Sequence, residues 1–231
     1  MCGRFTLTST PEALAQRFGL DAPPSVEPRY NIAPGQDVLA VRARAEGRSA
    51  ALLRWGLVPA WSDPAAAAAG PPLINARGET AAVRPAFRDA FRARRCIVPA
   101  SGFYEWADRG GFRQPYWISP RDGTPFGIAG LWERWIAPDG GRLESCALLT
   151  TAANARVGEL HDRMPAILPP DAYAIWLDPA RDVAALADLL APLAADALFV
   201  QPVSTRVNRV ENDDAALLDA VAEPLRQPSL F

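Results

Sequence analysis

Cys2 follows Met1 directly and precedes Gly3. Cytosolic methionine aminopeptidases remove Met1 when the second residue is small, and cysteine qualifies. The product would carry an amine and a thiol on adjacent carbons. Such an amine attacks an aldehyde to give an imine, and the thiol then closes a five-membered thiazolidine. An α-amine titrates near ~7.7–8.0, so a useful fraction is unprotonated at neutral pH. A lysine, near ~10.4, leaves roughly a thousandth. This chain has no lysine: all 24 cationic side chains are arginine. No side chain can form a Schiff base, so amine chemistry on a carbonyl falls to the α-amino group. The bland alternative is a chance cysteine after methionine.

Six other positions could assist. Asn75, in PLINARGET, offers an amide donor and acceptor to orient a reacting group; a turn-capping role competes with this. Glu105 lies between Tyr104 and Trp106 at the end of an apolar strand. Such surroundings raise a carboxyl pKa and suit acid–base work, whereas an exposed glutamate on the polar face of a strand is the alternative. His161 is the single histidine and the one side chain that titrates near neutrality, although its place suits a helix C-cap. Its neighbour Asp162 is expected to point away from it. Arg4, Arg77 and Arg163 are candidates for phosphate contacts, with surface salt bridges as the alternative. Cys96 and Cys146 sit in β-like apolar segments and read as buried structural thiols. With no C-x-x-C pair and one histidine, no zinc or other metal site is expected, nor any cofactor.

The elements that must position these residues read as follows. Pro11 to Phe18 is a short helix after Thr10. Residues 37–44 and 51–59 are strands joined by a glycine-containing turn. Residues 62–72 form an Ala/Pro-rich surface loop. A helix spans 85–94, with Phe87 and Phe91 facing the core. Residues 95–106 are a strand running into a turn at Ser101-Gly102, and 116–120, 126–135 and 144–151 are further strands. A short helix covers 154–160, helices cover 169–177, 183–194 and 214–223, and 201–208 is a strand and turn. Strands dominate the middle and helices gather at the end. The expectation is one α+β domain over residues 2–225, with a mostly antiparallel, barrel-like sheet and a loose tail at 226–231.

Composition sets limits. Hydrophobic residues make up 49% of the 231, enough for a sizeable core. No run reaches the roughly 20 apolar residues of a membrane span, and the N-terminus does not resemble a secretory signal, so a cytosolic location is expected. The net charge is −2, but residues 1–120 are net basic and residues 121–231 net acidic. The densest basic stretch is Arg77 to Arg95, which reads about equally as a nucleic-acid footprint or a solvated helix face.

Nine segments in order carry a resemblance. MCGRF, RYNIAPGQ (29–36), WGLVPAW (55–61), INARGET (74–80), RRCIVPASGFYEW (94–106), GIAGLWE (127–133), LLTTAAN (148–154), HDRMPAIL (161–168) and VSTRVN (203–208) resemble the SRAP family, the SOS response-associated peptidases. The resemblance implies a single SRAP domain with a β-barrel-like core and flanking helices. It implies binding of single-stranded DNA, or a single-strand/double-strand junction, at an abasic site. The N-terminal cysteine would form a thiazolidine crosslink with the ring-opened sugar and shield the lesion from strand cleavage. Carried over, Cys2 is the nucleophile, Asn75 orients the sugar, Glu105 is the acid–base residue and His161 assists ring opening. Arg77 and Arg163 would bind flanking phosphates, with Arg4 a weaker candidate. Trp61 and Trp106 would be stacking surfaces, core packing being the competing role. The family name also implies a peptidase that removes its own N-terminal residue. A monomer associated with the nucleoid through DNA is expected. Rival readings are an amidohydrolase of the glutamine amidotransferase type, a cysteine peptidase using Cys2 and His161, and a non-catalytic DNA-binding module. Two features depart from the pattern: Gly78, where a better helix former is expected, and the Ala-rich loop at 65–69, which lacks residues suited to DNA.

Overall fold

The computed structural model describes residues 2–64 and 72–222. Its strands are β1 (Phe5–Leu7), β2 (Arg29–Ile32), β3 (Asp37–Ala43), β4 (Arg48–Trp55), β5 (Asn75–Arg77), β6 (Arg95–Ala100) and β7 (Gly102–Asp108). The remainder are β8 (Arg113–Pro120), β9 (Phe126–Ile136), β10 (Arg142–Ala152), β11 (Arg163–Pro165), β12 (Ile167–Leu168) and β13 (Leu198–Pro202). Short helices are α1 (Pro11–Phe18), α2 (Gly78–Ala81), α3 (Arg88–Ala93), α4 (Ala155–Gly158) and α5 (Tyr173–Leu177). The fold is α+β. The expected domain end at 225, the tail at 226–231 and the Ala-rich stretch 65–69 lie outside the described residues.

Five strands close a barrel in the order β10-β4-β3-β6-β9, and β9 pairs back onto β10. Pairing is antiparallel except where β4 and β5 run parallel to β10. A second sheet, β13-β8-β7-β1-β2, packs against the barrel. Aromatic pairs span the junction: Phe5 meets Trp55 edge-on at 5.2 Å and Phe103 meets Phe126 at 6.5 Å. The apolar core is continuous from Cys2 and Phe5 through Trp55, Ile97 and Leu148 to Trp176. Cys96 and Cys146 are fully buried free thiols in it, and burial pushes the Cys96 thiol up to about 12.

Helix α1 has the predicted bounds: Thr10 caps it at Ala13 N, and Gly19 ends it at φ 62°. The stretch 95–106 proves to be two strands in two sheets. A Cβ at Gly102 would come within 2.9 Å of Ile118 O, and nearer still to the Trp117 ring, so glycine is what lets β8 lie against the turn. Two predicted helices are not α-helical. The 183–194 segment makes two 3₁₀ turns, Val183–Leu186 and Asp188–Leu190. Asp182 caps the first at Ala184 N, and Pro192 follows the second. Of the predicted 214–223 helix, the described residues 214–222 turn only at Ala215–Leu218, because Ala220 bridges to Val203 and Val221 N donates to Pro202 O. Tertiary pairing overrides the helical pattern there. The 85–94 helix shortens to α3.

The basic stretch splits in the structure. Arg84, Arg88 and Arg92 are exposed, Arg94 pairs with Glu133 at 2.7 Å, and Arg95 is buried. The Arg95 guanidinium donates to Phe91 O, Arg92 O, Trp176 O and Asp178 O at 2.5–2.7 Å, binding the C-terminal ends of α3 and α5. Replacement by methionine keeps the stem but leaves four carbonyls without that donor. Arg95→Met should cost about 3–5 kcal/mol in urea unfolding; a loss under 1 kcal/mol would show that these bonds are replaced by water.

Candidate active site

Strand β10 is the scaffold of the site. Its residue Thr150 pairs with Arg77 of β5 and with Pro165 of β11. Both short strands carry site residues: Asn75 and Arg77 on the first, Arg163 on the second. Gly78 then starts α2. A Cβ there would meet Leu190 Cδ1 at 3.0 Å and Thr150 O at 3.4 Å, so close approach of α2 to β10 explains a residue that helix propensity disfavours.

Asn75 joins these strands to the N-terminal segment. Its Nδ2 donates to Cys2 O at 2.8 Å. Its Oδ1 is buried and accepts no hydrogen bond among the described residues. The other side of Cys2 is set by β7, where Tyr104 N donates to Arg4 O at 3.0 Å. Along β7, Tyr104 and Trp106 face one way and Glu105 the other. Tyr104 and Trp106 join a separate apolar cluster with Val203, Val207 and Leu217. Glu105 faces the Cys2 side and is 2% exposed. Burial raises its pKa above the ordinary carboxyl range, with His161 pulling the other way. The Cys2 thiol is fully buried and its pKa is pushed well up, by burial first and then by the Glu105 charge. Cys2, Asn75, Glu105 and His161 thus come from four distant segments into one electrostatic neighbourhood.

His161 borders a groove of about 620 Å³ whose walls include Trp61, Asn75, Arg77, Phe87 and Arg163. His161 Nδ1 lies 2.9 Å from Arg163 N and 2.9 Å from Asp162 Oδ1. Asp162 therefore does not point away as expected. A neutral ring accepting from the amide at Nδ1 keeps its proton on Nε2, whereas a ring protonated at Nδ1 donates to Asp162.

The predicted phosphate ligands separate. The Arg77 guanidinium is exposed in the groove and makes no hydrogen bond or salt bridge among the described residues. Arg163 is held by Glu79 through two parallel bonds of 2.7 and 2.8 Å, and it donates to Thr150 O at 2.7 Å. Arg4 lines no part of the groove: it donates to Asn31 Oδ1 and Val207 O, each at 2.7 Å, and to Asn208 O at 3.3 Å. Its guanidinium is bonded to partners within the chain. Trp61 is 66% exposed at the groove, as a stacking surface requires. Trp106 is not at the groove; its Nε1 donates to Asn208 Oδ1 at 2.8 Å. Sequence reasoning missed Glu79, Arg84 and Phe87. The signal for Arg84 was the basic stretch itself, and Phe87 was assigned wholly to the core. Among the described residues no group of histidine, cysteine and carboxylate side chains could hold a metal.

Fold and site together define a barrel protein that holds a cysteine near its N-terminus beside a buried carboxylate. The family described as SOS response associated peptidase (SRAP) matches residues 1–210, and the chain belongs to it. It is similar to abasic site processing protein YoaM of Bacillus subtilis strain 168, 38% identical, with 95% of this chain and 98% of that one covered. It is 34% identical to abasic site processing protein YedK of Escherichia coli K12, over 96% of this chain and 100% of that one. Among solved structures, one from Bordetella bronchiseptica aligns with a TM-score of 0.79 and 32% identity, covering 88% of this chain and 100% of that one. One from Bacteroides thetaiotaomicron, 24% identical, shares the fold with a TM-score of 0.86 over 96% of this chain and all of that one.

The Asn75–Cys2 bond is open to a direct check. Asn75→Ala should speed alkylation of Cys2 about fivefold, the equivalent of ~1 kcal/mol for one net hydrogen bond. Mass mapping should find Cys96 and Cys146 unchanged; equal acceleration at all three would mean global loosening instead.

Proposed function

We propose that this chain processes abasic sites in DNA and captures them covalently in single strands through Cys2 once Met1 is removed. The observation that carries the reading is the Asn75 clamp, which fixes Cys2 against buried Glu105 at the edge of a groove with an exposed arginine. The names of the YoaM and YedK relatives support DNA with abasic sites as the partner. A protein that holds one strand in one groove needs no second subunit, and it would act where the nucleoid is. Among the described residues no helix is long and apolar enough to cross a membrane.

The chemistry runs as follows. The Cys2 α-amine adds to the aldehyde carbon of the ring-opened sugar, giving a carbinolamine. Protonated Glu105 gives its proton to the departing hydroxyl, water leaves, and the iminium N–H returns a proton to the carboxylate as the imine forms. The thiol then adds to the imine carbon, and its proton passes to nitrogen. One water is lost in all, and the product is a thiazolidine. Asn75 Oδ1, buried and unspent, would accept from a sugar hydroxyl. His161 would take the proton from the sugar's anomeric hydroxyl and pass one to the ring oxygen as the ring opens. Arg77 would hold a flanking phosphate, and Trp61 would stack on a neighbouring base. Arg163 would reach phosphate only by exchanging the Glu79 carboxylate for it. Removal of Met1 by the chain itself would use the same carboxylate.

The buried thiol weighs against the peptidase reading. Cysteine peptidases attack as thiolates with depressed pKa values, whereas burial pushes Cys2 the opposite way. In the proposed route the amine attacks first and no thiolate is required at the outset.

The first test is a denaturing gel of the processed protein with a single-stranded oligonucleotide bearing one abasic site. A shifted band is expected, and none from Cys2→Ala or from protein retaining Met1. No band from processed wild type would overturn the covalent reading. The acid role gives a pH prediction. The raised pKa keeps Glu105 protonated above the ordinary glutamate range, so capture should persist there and fall as pH rises through the folded value. Glu105→Gln should slow capture about 100-fold and remove that alkaline fall. An unchanged profile would take the acid role from Glu105.

A further inference from the structure

A second basic hollow lies at the other end of β10. It has a volume of about 380 Å³, and its walls include Arg42, Arg44, Arg95, Trp132 and Arg134. Glu144 marks this end of the strand and Thr150 the groove end; six residues of strand separate them by about 20 Å. Arg42 and Arg134 both pair with Glu144, at 2.9 and 2.7 Å. Arg42 also lies over the Trp132 ring, 4.4 Å from its centroid. Arg44 is exposed and pairs with no carboxylate among the described residues. A neighbouring hollow shares Arg44, Leu177 and Pro179 with it and adds Arg48 and Asp178. Across the two hollows Arg42, Arg44, Arg48, Arg95 and Arg134 outnumber the acids beside them, Glu144, Asp178 and Asp21.

The base of the hollow is the informative part. Arg95 is 4% exposed, and its hydrogen bonds go to carbonyls, with the Asp178 carboxylate near enough to act on its charge. A guanidinium has five N–H donors. Four are spent on carbonyls, which leaves one on Nη2 with no acceptor among the described residues. A buried cation with a spare donor, ringed by arginines that outnumber their acidic partners, is suited to an anion with several acceptor oxygens.

We infer that this hollow binds a phosphodiester of a nucleic-acid strand, at a site separate from the lesion groove. The inference rests on the DNA reading above for its choice of anion. Arg44 and the spare Arg95 donor take the phosphate oxygens, and Arg134 adds charge at the rim. A strand long enough to leave the groove and reach the far end of β10 contacts both sites. A short strand contacts one.

The test is binding of undamaged, labelled single strands of about 8 and about 30 nucleotides, lengths within and beyond a single-site footprint. Wild type is compared with the double variant Arg44→Gln/Arg134→Gln, both at about 50 and 200 mM salt. The variant should bind the long strand about threefold to tenfold more weakly, and its salt slope should flatten by about 1–2. The short strand should bind both proteins alike, and capture of a short abasic strand should be unchanged. Equal binding of the long strand by both proteins would overturn the inference. So would equal weakening at both lengths, which would place the effect in the groove or the fold. Millimolar nucleoside monophosphate, followed by phosphorus NMR, separates the sources. If the variant loses that binding but keeps the long strand, the hollow takes a free phosphate ester and the strand assignment fails. Should wild type capture no abasic strand, the covalent reading falls while the length comparison still decides the hollow.

Discussion

Strand β10 must find partners along both edges, and the rest of the molecule is arranged around that constraint. One edge takes β9 and then β11; the other takes β4 and then β5. Backbone groups in a buried strand cannot be left unpaired without a cost comparable to a lost hydrogen bond. The barrel closes because β9 and β4 satisfy the first half of β10. The site assembles because β5 and β11 satisfy the second half. Asn75, Arg77 and Arg163 are thus delivered by the same hydrogen bonds that complete the sheet.

The polar interior follows from this plan. Asn31 is fully buried and donates to three carbonyls of the 207–212 turn, while its Oδ1 accepts from Arg4. Asp213 accepts from the amides of Tyr30 and Asn31 and pairs with Arg29. Nearly every polar atom in this region is matched, as a buried network requires. The unmatched buried atoms near the site, Asn75 Oδ1 and Arg163 Nε among them, are therefore meaningful ones.

Much of this was legible beforehand, and what was not has physical reasons. Helix α1 announced itself through Thr10, Pro11 and Gly19, all local signals. Most strands declared themselves by apolar, β-branched runs. The failures were non-local. Residues 214–223 have a helical pattern, but pairing of Ala220 with Val203 wins. In 95–106 the turn at Ser101-Gly102 was readable, but nothing local tells that the segments on its two sides serve different sheets. At the site, Cys2, Asn75, Glu105 and His161 were identifiable by chemistry and by family resemblance, and they converge. The contacts of Arg4 were not readable, since two of its three partners lie about 200 residues away. Nor was the neutralisation of Arg163 by Glu79, because a salt bridge across 84 positions leaves no pattern in the sequence.

The Arg4 contacts also bear on the order in which the protein becomes competent. Arg4 bonds to Val207, 203 positions downstream. A ribosome delivers the first residues long before that turn exists. The N-terminal segment is thus made first and fixed last. Until the 207–212 turn has emerged, Arg4 and Asn31 lack the carbonyls that hold them. Chain synthesis itself therefore sets the order in which this end of the molecule is locked in place.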